Sequence, residues 1–228
     1  MGESRISTVR TKQFRILCLH GYHGSAAVLR GQMQMLTGGL DHPAEFVCID
    51  APSLAEGDYG WWHAQNSTNT ETTGAIRYKG WARTYDGIIS VFERDGPFDG
   101  IFGFSQGATL AGLLVGLRAC DGKITEHAPL TFDFVIMVGG FLARDPTLTG
   151  LYGAGQCYAL PSMHIIGRSD DIVPSNSSRK LALKFKDPLV LEHAGGHVIP
   201  GTREIHQRVS SFLAERRRHP GEDGSVSR

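Results

Sequence analysis

With 228 residues the chain has room for one large domain, or at most two small ones. Hydrophobic residues at 41% supply a core, and charged residues at 20% leave an ordinary polar surface. Lys+Arg 23 against Asp+Glu 23 cancel, so nothing in the charge balance points to nucleic acid or acidic lipid as a partner.

Residues 1–13 are polar and read as an arm or a short edge strand. The opening Met1-Gly2-Glu3-Ser4-Arg5-Ile6 has no apolar signal core and carries Ile6 where a myristoylation signal needs Ser or Thr. No apolar run approaches the length of a membrane helix, so the expectation is a cytoplasmic protein without a membrane span. Phe14–Leu19 is the first apolar strand, followed at once by His20-Gly21-Tyr22-His23-Gly24-Ser25. A helix is expected from about Ala26 to Leu40, with Leu29, Met33, Leu36 and Leu40 on one face and Ser25 as its N-cap. A second strand, Phe46–Asp50, stops at Ala51-Pro52.

Residues 53–80 break this rhythm. A connection of that length inside a compact domain suggests a lid-like insertion, with Tyr59, Trp61 and Trp62 as apolar walls over a substrate. The competing reading is a surface excursion pinned by two core tryptophans. Trp81, Tyr85, Ile88, Ile89 and Phe92 then mark an amphipathic helix.

Asp99–Phe104 is a short apolar strand bounded by glycine, and Gln106–Cys120 is apolar nearly all round, as a buried helix would be. Further strands are expected at Phe132–Val138, Ser162–Gly167 and Leu189–His193, with helices at about 176–185 and 202–217. The tail, 218–228, is charged, contains Pro and Gly, and reads as disordered. Strands alternating with helices imply one α/β domain over 14–217, with a mostly parallel sheet covered on both faces. Cys18, Cys48, Cys120 and Cys157 show no C-x-x-C spacing and read as buried reduced thiols, not as a disulfide frame or zinc site.

The stretch that carries chemistry is Gly103-Phe104-Ser105-Gln106-Gly107, a G-x-S-x-G nucleophile elbow between strand and helix. Its sharp turn holds Ser105 at a helix N-terminus, where N–H groups favour developing negative charge. In a fold of this kind the partners follow in the order acid, then histidine. Of the later histidines, His127, His164, His193, His197, His206 and His219, only His197 follows a strand end, in Ala194-Gly195-Gly196-His197, whose glycines let the loop curl back. His164 and His193 lie within strands, and His206 lies on a helix. Gly167-Arg168-Ser169-Asp170-Asp171 offers two acids; Asp170 is favoured and Asp171 remains the alternative. The oxyanion would be held by the backbone N–H of Gln106 and of Tyr22, with His23 as the near alternative. His20 and His23 have H-x-x-H spacing but sit in a loop with no third ligand in view, so no metal is expected.

Three runs then carry a resemblance: Leu17-Cys18-Leu19-His20-Gly21-Tyr22, Gly96-Pro97-Phe98-Asp99-Gly100-Ile101-Phe102-Gly103-Phe104-Ser105-Gln106-Gly107, and Gly167–Pro174 with Gly196-His197. Together with Trp61-Trp62 they resemble the FSH serine hydrolases, the α/β-hydrolase family of ovarian-tumour-candidate hydrolases and fungal polyketide-releasing thioesterases. The likeness spans roughly 14 to 213. It implies a cofactor-free carboxylic ester or thioester hydrolase, with Ser105, Asp170 and His197 at the matching positions. One departure is Arg30, in a helix where the family often carries a lysine. The expected substrate is a small medium- or long-chain acyl or polyketide-like ester or thioester, free or on a carrier protein. A ligand-binding protein without catalysis and a serine peptidase are the alternatives.

Overall fold

The structure, a computed structural model, describes residues 13–41, 44–55, 58–67, 74–124, 130–153 and 157–218. The expected N-terminal arm up to residue 12, the tail beyond Arg218, the stretch 68–73 and His127 lie outside these residues.

Ten strands and five α-helices are described. They run β1 (Phe14–Leu19), α1 (Ala26–Thr37), β2 (Ala44–Ile49), β3 (Ser53–Ala55), β4 (Asp58–Tyr59), β5 (His63–Asn66), β6 (Ile76–Lys79) and α2 (Trp81–Asp95). There follow β7 (Gly100–Phe104), α3 (Gln106–Ile124), β8 (Phe134–Val138), β9 (Ser162–Gly167), α4 (Ser175–Ala182), β10 (Leu189–His193) and α5 (Arg203–Arg218). Six of the strands form one sheet in the order β10-β9-β8-β7-β1-β2. Every pairing within it is parallel.

Alternate residues along the central strands feed two cores, one on each face. Leu17, Leu19, Ile101, Val135 and Met137 point to the face covered by α2, α3 and α4. Ile16, Cys18, Phe102, Phe104, Phe134, Ile136 and Val138 point to the other, under α1 and α5. Burial on both sides is why these strands read as continuous apolar runs. Helix α1 follows the expected spacing: Ala26, Leu29, Met33 and Leu36 are buried, and the Val28 N–H donates to the Ser25 hydroxyl at 3.1 Å. Helix α2 buries Thr84, Ile88 and Phe92.

The insertion departs from expectation. Residues 53–80 hold two small antiparallel hairpins, β3–β4 and β5–β6. Trp61 and Trp62 are 1% and 2% exposed. They are core residues, so the expectation that they form open walls over a substrate is corrected in favour of an excursion pinned by tryptophans. The physical reason is polar as well as apolar. The Trp61 indole N–H donates to the His20 carbonyl at 2.8 Å, Thr84 donates its hydroxyl proton to the Trp61 carbonyl, and Trp62 stacks on Tyr78 at 4.7 Å. Asp145 fastens the far hairpin, accepting from the Tyr78 N–H at 2.8 Å and from Arg77 at 3.1 Å. The cysteines differ too: Cys18 is buried, but Cys48 is half-buried and Cys157 exposed. Among the described residues no helix is long and apolar enough to cross a membrane.

Candidate active site

The chain leaves β1, adds β2 at the outer edge, and later returns to lay β7 on the other side of β1. That reversal opens a crevice at the carboxyl ends of β1 and β7, the place where parallel sheets bind ligands. Ser105 follows β7, and His20-Gly21-Tyr22 follows β1. Ser105 has φ of 55°, a left-handed conformation that a residue with a side chain adopts at a cost. The turn is held by the Ser105 N–H donating to the Val138 carbonyl at 2.8 Å and by α3 beginning on the next residue. Close approach explains the flanking glycines. A methyl group on Gly103 would lie 2.4 Å from the Gly107 carbonyl oxygen, and one on Gly107 would lie 2.1 Å from that of Leu19.

The loops after β9 and β10 converge on this elbow. Arg168 donates its N–H to the His193 carbonyl at 2.9 Å, and Ser169 donates to Gly195 at 3.2 Å. These bonds bring His197 Nδ1 to 2.7 Å from Asp170 Oδ2. The other oxygen, Oδ1, accepts the N–H groups of Ile172 at 3.0 Å and Val173 at 2.7 Å, which fixes the plane of the carboxylate. The Asp170 side chain is 2% exposed and that of His197 11%. With a carboxylate as its partner, Nδ1 is the donor, and Nε2 takes no part in this contact. The His197 ring lies 4.8 Å from that of Phe104, the residue before Ser105. Asp171 is exposed and stands outside this pair.

The β1 loop covers the serine from the other side. A methyl group on Gly21 would be 3.2 Å from the Ser105 Cβ. Tyr22 and His23 form a turn closed by the Gly24 N–H donating to the Gly21 carbonyl at 3.0 Å. His20 anchors this loop: its Nδ1 donates to the Gly21 carbonyl at 2.7 Å and its Nε2 accepts the Ala51 N–H at 3.0 Å. Both ring nitrogens are engaged, and burial pushes its pKa down, so His20 is a neutral strut.

Two contributors escaped sequence reasoning. The Gln106 side chain accepts the Trp61 N–H at 2.9 Å and donates to the Trp62 carbonyl at 2.8 Å, clamping the insertion to the elbow. His63 Nδ1 meets the Tyr22 hydroxyl at 2.5 Å. A buried glutamine at the start of an apolar helix was the available signal for the first. Nothing in the sequence marks the second, since the two residues are 41 positions apart.

The family model described as Serine hydrolase (FSH1) matches residues 9–209. The chain belongs to the FSH1 serine hydrolase family. As an FSH1 serine hydrolase it is 30% identical to Esterase CG5412 of Drosophila melanogaster, over 94% of this chain and 81% of that protein. It is 32% identical to Esterase OVCA2 of Bos taurus, over 87% and 95% respectively. The fold matches the crystal structure of Zea mays acyl-protein thioesterase 2 with a TM-score of 0.65 at 16% identity, over 91% of this chain and 95% of that one. Esterase PE8 matches with a TM-score of 0.61 at 22% identity, over 90% and 93%. The FSH1 chain is thus a serine ester hydrolase with the α/β-hydrolase fold.

Proposed function

We propose that Ser105, His197 and Asp170 hydrolyse a carboxylic ester or thioester through an acyl-serine intermediate. The observation that carries this reading is the 2.7 Å contact between Asp170 and His197, made by two loops that meet behind the elbow. In this scheme His197 Nε2 takes the Ser105 proton as Oγ attacks the carbonyl carbon. Asp170 holds the tautomer and stabilises the imidazolium. The N–H of Gln106, one of those a helix start leaves unsatisfied, and the N–H of Tyr22 receive the oxyanion. His197 then protonates the leaving group, and water, activated by the same base, releases the acid.

For the acyl group we favour medium or long chains over peptides. Ile172 and Val198 are 72% and 52% exposed and follow Asp170 by two residues and His197 by one, offering apolar surface on the two loops that carry the acid and the base. Likeness to the maize protein called an acyl-protein thioesterase points the same way. A small acyl ester or thioester, free or on a carrier protein in the cytoplasm, is the substrate this reading requires. The test uses p-nitrophenyl esters and acyl thioesters of graded length against wild type and Ser105→Ala. Wild type should show burst release, and kcat/KM should rise with chain length as buried CH₂ groups contribute up to about 0.8 kcal/mol each. Ser105→Ala should lose turnover by roughly 10⁶-fold. Turnover that survives the alanine substitution would discard the nucleophile, and equal kcat/KM for acetyl and decanoyl esters would discard the chain-length preference.

A further inference from the structure

Cys18 and Cys48 are directly paired residues on neighbouring parallel strands, β1 and β2. Both side chains belong to the same face of the sheet, the one covered by α1 and α5. In-register residues on adjacent strands lie about 4.8 Å apart at Cα, inside the ~4.4–6.8 Å window that a disulfide spans. Both cysteines are free in the reduced chain. Cys18 is fully buried and its thiol leans on the Ile16 carbonyl at 3.4 Å. Cys48 is half-buried on β2, which has a neighbour on one side only. An edge strand can shift relative to its partner more readily than a central one, because a single ladder holds it.

The environment of the two sulfurs is unequal. Cys48 is held below its ordinary pKa by the Cys18 thiol, against the effect of burial, with the Arg30 guanidinium adding to the drop. Burial pushes Cys18 well up. The accessible sulfur is therefore the one with more thiolate, and the buried one is a resolving thiol beside it.

We propose that Cys18 and Cys48 are a hydroperoxide-responsive thiol pair that closes into a reversible disulfide. The Cys48 thiolate attacks a peroxide oxygen; the S–O bond forms, the O–O bond breaks, and the alkoxide or hydroxide leaves and takes up a proton. Sulfur is oxidised by two electrons and the peroxide is reduced. The Cys18 thiol then displaces the hydroxyl of the sulfenic acid, giving its proton to it, so that an S–S bond forms and water departs.

Closure reaches the hydrolytic site through short covalent paths. Cys18 lies two residues before His20, and Cys48 three before Ala51, whose N–H is received by His20 Nε2. Paired strands sit near the short end of the disulfide window, whose usual Cα separation is about 5.5–6 Å, so closure spreads β1 and β2 there and displaces the strut under Gly21 and Tyr22, the loop against Ser105. This second half of the inference rests on the serine hydrolase reading, whereas the disulfide does not.

The experiment exposes the reduced full chain to hydrogen peroxide, blocks free thiols, and maps peptides without reduction. A linked Cys18–Cys48 peptide is expected, absent in Cys48→Ser and Cys18→Ser and removed by dithiothreitol. Ester hydrolysis should fall on the order of tenfold, short of the ~10²-fold that a full 1 Å misplacement costs, and should return with dithiothreitol. Cys48→Ser should keep its activity in peroxide. Sulfinic acid at Cys48 with no linked peptide, or a dimer joined through the exposed Cys157, overturns the thiol pair. A linked peptide with unchanged hydrolysis overturns the coupling alone. A reduced chain that hydrolyses nothing overturns the hydrolase reading instead, and the peptide map still decides the disulfide.

Discussion

The Asp170 carboxylate is oriented by both of its oxygens, one against His197 and the other against the N–H groups of Ile172 and Val173. That double anchoring separates it from Asp171, one residue later and exposed. Asp170→Asn keeps the shape but presents an amide to Nδ1 and favours the wrong tautomer. Turnover should then drop by about 10⁴-fold. Asp171→Asn should leave it near wild type, since among the described residues no hydrogen bond or ion pair ties that exposed side chain to the site. Steady-state kinetics of the two variants decide the matter, and equal losses would mean the acid is misassigned. Gln106 makes the same point about amides: its side chain is spent on clamping Trp61 and Trp62, so any part it takes in catalysis belongs to its backbone.

Strand β9 joins stability to the site, for it ends in the Asp170 loop and carries His164 within its span. Burial pushes the His164 imidazole down to about 3, and Ser162 Oγ lies 3.2 Å from its Nε2. The native strand therefore holds a neutral ring, while the unfolded chain takes up a proton near pH 6.5. A lowered folded value means that this contribution is complete above about pH 6.5 and is lost as pH falls towards 3. At about 1.4 kcal/mol per pH unit, His164 alone should lower stability by about 2 kcal/mol between pH 7 and pH 5. His20, also lowered, acts in the same direction. Urea denaturation at the two pH values should show this drop in wild type and a smaller one in His164→Gln. An unchanged drop in the variant would assign the acid sensitivity elsewhere.

Across the whole molecule the sheet reversal creates the crevice, and the 53–80 excursion is tied down on its α2–α3–α4 side. Asp145 is central to that fastening. Burial disfavours its charge, but the Thr147, Tyr78 and Arg77 donors outweigh this and hold its pKa below the ordinary value. Asp145→Ala leaves several of those donors unsatisfied and should cost about 3 kcal/mol. Urea denaturation reads the loss, and amide exchange at Tyr78 should quicken more than exchange in β7 or β8. A cost within about 0.5 kcal/mol, the scale of an ordinary surface change, would mean the hairpin is held by its tryptophans alone.

The strands and their order of chemistry were legible because they depend on local pattern. Ser162–Gly167 is a strand with the expected bounds, since burial on both faces leaves no room for polar alternation, and the half-exposed edge strand Leu189–His193 keeps its expected bounds through its Leu-Val-Leu run. The elbow was legible for a steric reason, two glycines around one serine, and the Gly196-His197 loop by its place after the last strand. What stayed hidden was long-range. Aromatic residues in a polar stretch look the same whether they roof a pocket or plug a core, and only the partners of Trp61 and Trp62, namely His20, Thr84, Tyr78 and Gln106, make them core. Likewise Asp170 and Asp171 differ by one position in sequence, and only the folding back of the β10 loop brings His197 to the first. The register that sets Cys18 beside Cys48 is of the same kind: strand pairing depends on the whole sheet, and neither segment states it alone.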